Sequence, residues 1–395
     1  PWPEVLPTFL VTAPGLAPLV AAECGALGVT VAAVDDAGVS VSVPLETIAR
    51  LNVELRCASR VLVRLVSGPT RHFDALERLA AAVPWRAIVP AGARVAIRAT
   101  ARKSRLYHTG AIEERLHRAL VAAVPTAQQA SAADEEEDTP AQLIVVRIDR
   151  DQCTISADTS GALLHRRGWR LATAKAPLRE TLAAAVLAAS GWRADQRLWD
   201  PCCGAGTLVI EAALAACGAA PGAARTFAFT AWPVWAARAT RALASVQAAA
   251  RARVRTVPEG SFVATDRDAG AIAAARANAV RAGVASCIRF DQVALHDAPP
   301  LDGAGWIVSN PPYGRRVQVG RGDASDGARL RALYRDLGAR AAAMRWGLAL
   351  LTDDEALARA AGLAAAPVLR TSNGGLPVGV WRAATVTAPT PRRAR

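Results

Sequence analysis

Between residues 163 and 381 the chain alternates short β-branched or aromatic runs with long stretches of alanine and leucine, and this alternation restricts the fold more than any other feature. The short runs cover 198–200, 261–264, 288–290, 306–308, 347–351 and 378–381. Helical stretches between them cover 182–189, 208–216, 269–282 and 328–343. Strand–helix alternation of this kind demands right-handed crossovers and predicts an α/β, mainly parallel, doubly wound sheet. Ligands of such sheets bind outside the carboxyl ends of the strands.

The region ahead of this block has a different texture. Residues 8–68 run strand, helix, two short strands across the turn signal Asp35-Asp36-Ala37-Gly38, helix, strand, which predicts a small α+β unit with an antiparallel sheet. A second α+β unit is expected over 71–158, interrupted by a polar stretch with the acidic run Asp134 to Asp138, read as a solvated loop. The divisions expected are 1–68, 69–160, 161–388 and a basic tail at 389–395.

Composition narrows the function classes. Lys and Arg number 47 against 34 Asp and Glu, a formal net charge of +13 that favours a polyanionic partner. Seven cysteines occur without a C-x-x-C pair or a Cys/His cluster at zinc spacing, so a cytoplasmic protein without a structural metal is expected. No apolar stretch reaches the roughly 18–20 residues of a membrane span, and no signal-peptide pattern opens the chain.

Behind the run ending at Asp200 stands "DPCCGAGTLVIEAA", two glycines at the entrance of a helix, where exposed N–H groups can face a ligand. A dinucleotide fingerprint would place its third glycine at Val209 and an acid about 20 residues on; the next strand-end acid is Asp266. A P-loop would need a lysine before Thr207. What remains is a nucleoside ligand without a polyphosphate. Asp266, in "ATDRD", suits a ribose diol, and Asp268 suits the cap of the following helix.

The run 306–308 ends in "SNPPYG". A glycine loop, an acid after the next strand and Asn-Pro-Pro-Tyr after a later one resemble the pattern of class I S-adenosylmethionine-dependent methyltransferases. An exocyclic amine is a poor nucleophile because its lone pair is delocalised into the ring. If the Asn310 side-chain oxygen and the Pro311 carbonyl accept its hydrogens, the lone pair is freed toward a methyl donor, a positioning effect worth several kcal/mol. Pro311 and Pro312 remove two local donors, Tyr313 is expected to offer a stacking face, and Gly314 lets the chain turn away. The acceptor expected is a planar amine on a base or an amide.

Across nearly its whole length the chain resembles bacterial THUMP-domain RNA methyltransferases acting on N2 of guanine, most of all those of large-subunit (23S) ribosomal RNA. The motifs carrying the likeness run from "TFLVTAPGLAPLVAAEC" and "NVELRCASRVLVRL" through "RKSRLYHTGAIEERL", "ADTSGALLHRRGWR" and "APLRETLAAAVLAASGW" to "DPCCGAGTLVIEAA" and "SNPPYGRRV". The resemblance implies a ferredoxin-like subdomain to about residue 68, a THUMP RNA-binding module to 160 and a Rossmann-like catalytic domain. It assigns Asn310, Pro311, Pro312 and Tyr313 to the target base. It assigns Asp200, Pro201, Cys202, Gly204, Gly206, Thr207 and Asp266 to the methyl donor, with Arg179 in the segment 177–180 covering it. The acid that many relatives carry after the third strand is here Ala294, leaving backbone groups or Asp297 for the adenine. With no second methyltransferase domain in the sequence, one modification is expected.

Two basic clusters mix cations and rings: Arg98, Arg102, Lys103 and Arg105 with Tyr107 and His108, and His165, Arg166, Arg167 and Arg170 with Trp169. With Arg315 and Arg316 beside the active site they suggest an RNA track to the pocket, into which a guanine is flipped. Ribosomal RNA, free or in a precursor particle, is the expected partner. The residues leave open the same chemistry on tRNA, amino methylation of adenine or of a glutamine amide, and a non-catalytic RNA-binding or assembly role.

Overall fold

The structure, a computed structural model, describes residues 2–130, 141–171, 178–313, 324–364 and 366–385. The acidic run 134–138, Pro177, Gly314, Arg315, Arg316 and the tail 389–395 lie outside the described residues. The chain divides into two compact units, one of residues 1–12, 20–164 and 221–252, the other of residues 13–19, 165–220 and 253–395.

The first unit opens with β1 (Leu6–Val11), α1 (Ala17–Ala26), β2 (Val31–Asp35), β3 (Gly38–Val43), α2 (Leu45–Glu54) and β4 (Arg60–Pro69). It continues through α3 (Phe73–Ala81), α4 (Trp85–Ile88), β5 (Arg94–Arg102), α5 (Thr109–Ala123), β6 (Gln128–Gln129), β7 (Gln142–Asp149) and β8 (Gln152–Asp158). All eight strands form one sheet in the order β2-β3-β1-β4-β8-β7-β5-β6. The boundary expected at residue 68 therefore falls inside β4, which pairs with β1 over 60–63 and with β8 over 62–69. Buried polar groups reinforce this join. Asn52 donates to Thr159 Oγ1 at 2.9 Å and accepts from Ser160 Oγ at 2.7 Å, while Arg60 pairs with the fully buried Asp158 at 2.5 Å.

Chain order in the rest of the molecule is α6 (Glu180–Ser190), β9 (Arg197–Asp200), α7 (Thr207–Ala216), α8 (Ala236–Ala252), β10 (Phe262–Asp266), α9 (Ala269–Arg281), β11 (Ile288–Gln292) and β12 (Gly305–Ser309). There follow α10 (Ala324–Met344), β13 (Gly347–Thr352), α11 (Glu355–Ala360), β14 (Leu369–Asn373) and β15 (Leu376–Ala383). The second unit's sheet has the order β11-β10-β9-β12-β13-β15-β14, parallel except for β15, which pairs antiparallel with β13 and β14. β12 and β13 are buried along their whole length, as strands covered on both faces must be.

Within the catalytic block expected over 161–388, the segment 221–252 clusters with the first unit. Its aromatic residues explain the departure. Trp232 and Trp235 stack at 4.7 Å, Trp232 Nε1 donates to Gln142 Oε1 at 2.7 Å, and Val234 N–H donates to Ala87 O at 3.0 Å. α8 then lies along α2, with Arg238 bidentate on Glu46 at 3.0 and 3.2 Å.

Candidate active site

β9 has β10 on one side and β12 on the other, so sheet order reverses beside it and the crevice opens at the carboxyl ends of β9 and β12. Asp200 ends the first strand, and Asn310 follows the last residue of the second. Ser309 Oγ donates to Asp200 Oδ1 at 2.6 Å, and Cys202 N–H donates to the same oxygen at 3.3 Å. Burial pushes the Asp200 carboxyl up to about 7; the Ser309 and Cys202 bonds oppose this, and the charge of Asp266 adds to it. Burial likewise pushes the Cys202 and Cys203 thiols up, with Asp200 and Asp266 adding, so neither is a thiolate nucleophile.

The glycine loop is held by its neighbours. Cys203 N–H donates to Thr265 O at 3.1 Å, Gly204 N–H to Asp266 Oδ2 at 3.0 Å, and Asn278 Nδ2 to Ala205 O at 3.0 Å. Gly204 and Gly206 have φ of 52° and 83°, a region that favours glycine. A Cβ on Gly206 would stand 2.9 Å from Ala275 Cβ, whereas one on Gly204 would meet nothing within 4 Å, so the loop is tight against α9 and open at Gly204. Asp268 caps α9 through Gly270 and Ala271 N–H. Asp266 accepts Asp268 N–H at 3.0 Å on its other oxygen, and a carboxylate's further lone pairs leave room for a diol.

At the end of β12, Pro311 is buried and Pro312 exposed. Asn310 Oδ1 is buried and without a hydrogen-bond partner among the described residues. An orphan acceptor of this kind costs about 1–3 kcal/mol, which a donor arriving with a ligand recovers. The open stacking face expected of Tyr313 is corrected by its burial: the residue is 2% exposed and its hydroxyl accepts from Asn373 Nδ2 at 3.0 Å.

The sequence pattern of the RMKL-like methyltransferase domain matches residues 167–378. The chain belongs to that family. Ahead of this domain, the RlmL ferredoxin-like domain matches residues 8–62 and the THUMP domain residues 70–158, in agreement with the fold class read from the sequence. The chain is 36% identical over 386 residues to the ribosomal RNA large subunit methyltransferase K/L of Syntrophotalea carbinolica, covering 93% of this chain and 52% of that protein. To YpsC, a candidate RNA methyltransferase of Bacillus subtilis, it is 31% identical over 370 residues, 93% of each chain. It thus spans about half the length of the K/L relative and nearly all of YpsC. A solved candidate methyltransferase, SMU.472, complexed with SAH, superposes with a TM-score of 0.83 at 27% identity, covering 98% of this chain and 100% of that one.

In the second basic cluster, Arg167, Arg170 and Trp169 are turned into the protein rather than open to RNA. Arg167 is buried, its guanidinium bidentate on Glu211 at 3.1 and 3.4 Å with both side chains at most 2% exposed. Arg170 donates to Thr207 Oγ1 at 2.5 Å and Leu178 O at 2.7 Å and lies 3.3 Å from Glu180. Both arginines therefore dock on α7, one turn apart, at the helix that opens from the glycine loop. Trp169 is buried too, and its carbonyl accepts from Arg281 Nε at 2.8 Å; Arg281 also bonds Asn278, which holds Ala205. His165 is pushed down to about 3 by burial and by Arg179, Arg166, Arg167 and Arg170, so it is neutral at physiological pH. Arg166 and Arg179 are exposed, as are Arg102, Lys103 and Arg105 in the first unit.

Ser309, Asn278 and Asn373 were not among the residues singled out from the sequence. Asn278, fully buried in an alanine-rich helix, carried a signal, since asparagine is disfavoured in helix interiors unless its amide has a partner. Near the third strand end stands Ala294, and Asp297 is exposed, 3.2 Å from His296 Nε2. Among the described residues no group of three His, Cys, Asp or Glu side chains could hold a metal ion, and no helix is long and apolar enough to cross a membrane.

Proposed function

We propose that the chain is a cytoplasmic S-adenosylmethionine-dependent RNA methyltransferase that methylates N2 of a guanine in large-subunit ribosomal RNA. The observation carrying this reading is the buried Asn310 Oδ1, without a partner among the described residues, in the crevice that also holds the glycine loop and Asp266. Bound there, S-adenosylmethionine supplies an electrophilic methyl group on a sulfonium. The open side of Gly204, the N-terminus of α7 and the free lone pairs of Asp266 fit its amino-acid and ribose parts.

The residues of the chain prepare the acceptor. Asn310 Oδ1 and the Pro311 carbonyl accept the two amino hydrogens, localising the lone pair on nitrogen. Tyr313, anchored on Asn373, keeps the turn in place. A guanine inside a duplex cannot reach this turn, so the base is unstacked before reaction. The K/L relative, a ribosomal RNA methyltransferase, and YpsC, a candidate RNA methyltransferase, favour RNA, and the THUMP match fits an RNA partner.

The test is transfer of label from S-adenosylmethionine to RNA from cells lacking the gene, fractionated into 23S, 16S and tRNA and digested to nucleosides. Label in N2-methylguanosine from 23S is expected. Label in tRNA would change the substrate, label in N6-methyladenosine would change the purine, and no label despite donor binding would overturn the reading.

A further inference from the structure

Two cysteines far apart in sequence meet at the end of the second unit's sheet opposite the crevice. α7 runs from the glycine loop back along the sheet and is capped by Cys217, about 15 Å along its axis from Thr207. The short 3₁₀ turn Ala285–Cys287 leads into β11, whose first residue, Ile288, pairs with Phe262 at the start of β10.

The side chains of Cys217 and Cys287 are hydrogen-bonded to each other. The Cys287 S–H has a second acceptor, Val284 O, at 3.2 Å. Backbone bonds hold both positions. Gly218 N–H donates to Ala215 O at 3.0 Å and Ala219 N–H to Leu214 O at 2.9 Å, closing α7 just past Cys217, and Cys287 N–H donates to Val284 O at 3.3 Å.

Cys217 is the thiol suited to react first. It stands at a helix C-terminus, whose dipole disfavours a thiolate. Arg255 offsets this: its N–H donates to Cys217 O and its Nε to Ala216 O, each at 2.9 Å. Burial pushes the Cys217 thiol up, while the bond from Cys287 and the charge of Arg255 oppose that. Cys287, pushed up to about 11 by burial and by Cys217, keeps its proton and remains the donor. Cys217 is also the outer of the two, 8% exposed against 2%. The other cysteines differ: Cys24, Cys57 and Cys153 are at most 1% exposed, and Cys202 and Cys203 lie beside the carboxyls of Asp200 and Asp266.

We infer that Cys217 and Cys287 are a peroxide-responsive pair that closes to a reversible disulfide, fastening the end of α7 to the start of β11. The Cys217 thiolate attacks one oxygen of hydrogen peroxide; the O–O bond breaks, and the hydroxide released takes the proton that Cys217 gave up and leaves as water. The sulfur of Cys287 then attacks the sulfur of the sulfenic acid. The S–S bond forms, the S–O bond breaks, and the departing hydroxide takes the Cys287 proton as a second water. Together the thiols lose two electrons and two protons, and the peroxide is reduced to two waters. A dithiol reverses the bond by exchange, as befits a disulfide formed transiently inside a cell. This chemistry needs neither RNA nor methyl donor, so it stands or falls apart from the function proposed above.

The experiment treats the reduced full chain with a small excess of hydrogen peroxide and reads intact mass and a non-reducing peptide map, for the wild type, Cys217→Ser and Cys287→Ser. The wild type should lose two hydrogens and give one cross-linked peptide pair, containing Cys217 and Cys287, that dithiothreitol undoes. With dimedone present to trap sulfenic acid, Cys287→Ser should be labelled at Cys217, and Cys217→Ser should be labelled at Cys287 about 10-fold less. The bond closes a loop of about 70 residues in the unfolded chain, so the oxidised wild type should unfold roughly 5 °C above the reduced form. Neither single variant should show that rise. A wild type that keeps its mass, a disulfide through any other cysteine, or an oxidised form that melts no higher than the reduced one overturns the inference.

Discussion

Ser309 Oγ donates a 2.6 Å hydrogen bond to Asp200 Oδ1, joining the ends of the two strands beside which sheet order reverses. The carboxyl it reaches is fully buried and pushed up to about 7 from an ordinary 3.8, so the folded chain keeps a proton that the unfolded chain loses first. Such a group favours folding fully below about 3.8, and that contribution is lost as pH rises to about 7. Ser309→Ala removes a donor that stabilises the ionised form. Its cost is therefore expected to be about 1–3 kcal/mol at pH 8 and smaller at pH 5, read from denaturant unfolding at the two pH values. Asp200→Asn should flatten the pH dependence between them. Equal costs of Ser309→Ala at both values would uncouple the serine from Asp200 ionisation.

Asn310→Ala removes the orphan acceptor without touching the surfaces that carry the charge for RNA. Turnover in a single-turnover methyl-transfer assay should fall by about 10²–10³, the size seen when one preorganised polar group at a reacting centre is deleted. Affinity for RNA should stay nearly unchanged. A comparable loss of RNA binding would contradict the division of roles between Asn310 and the basic surfaces.

How far the site was legible depended on whether a residue's partner lies near it in sequence. β9, β10, β12 and β13 stand out because parallel strands buried on both faces read as unbroken apolar runs. Asp266 and Asp268 could be told apart because capping is local, and Asp268 is the cap. Arg167 could not be read, since a buried arginine has the same letter as a surface one and its carboxylate, Glu211, lies 44 positions away. The short, polar β14 went unseen although Asn373-Gly374-Gly375 is a hairpin signal, with φ of 60° and 82° at the glycines, and with it went the anchor of Tyr313. Residues 221–252 were opaque for a related reason: their aromatic residues pack with a unit whose strands lie far upstream.

Asp266 has two duties in the structure, holding Gly204 N–H and Asp268 N–H while leaving lone pairs toward the crevice. Asp266→Ala should weaken S-adenosylmethionine binding by about 10- to 150-fold in calorimetry, as expected for losing charged hydrogen bonds of about 1.5–3 kcal/mol. Asp266→Asn, which keeps an acceptor, should fall between. Turnover at saturating donor should change much less. Lower turnover with unchanged donor affinity would assign Asp266 to the chemical step instead.

Arg167 and Glu211 tie the 165–170 strap to α7 through a pair that is almost wholly removed from water. Arg167→Ala leaves a buried carboxylate without its cation, so it should destabilise the protein by about 3–5 kcal/mol. The double variant Arg167→Met with Glu211→Leu removes both charges and should recover much of that loss, because well-packed apolar side chains often replace a buried ion pair without penalty. Neither change removes a cation that RNA can reach, so the salt dependence of RNA binding should match the wild type in both, measured below the unfolding temperature of the weaker variant. A flattened salt slope in Arg167→Ala, with stability intact, would return this arginine to the RNA surface.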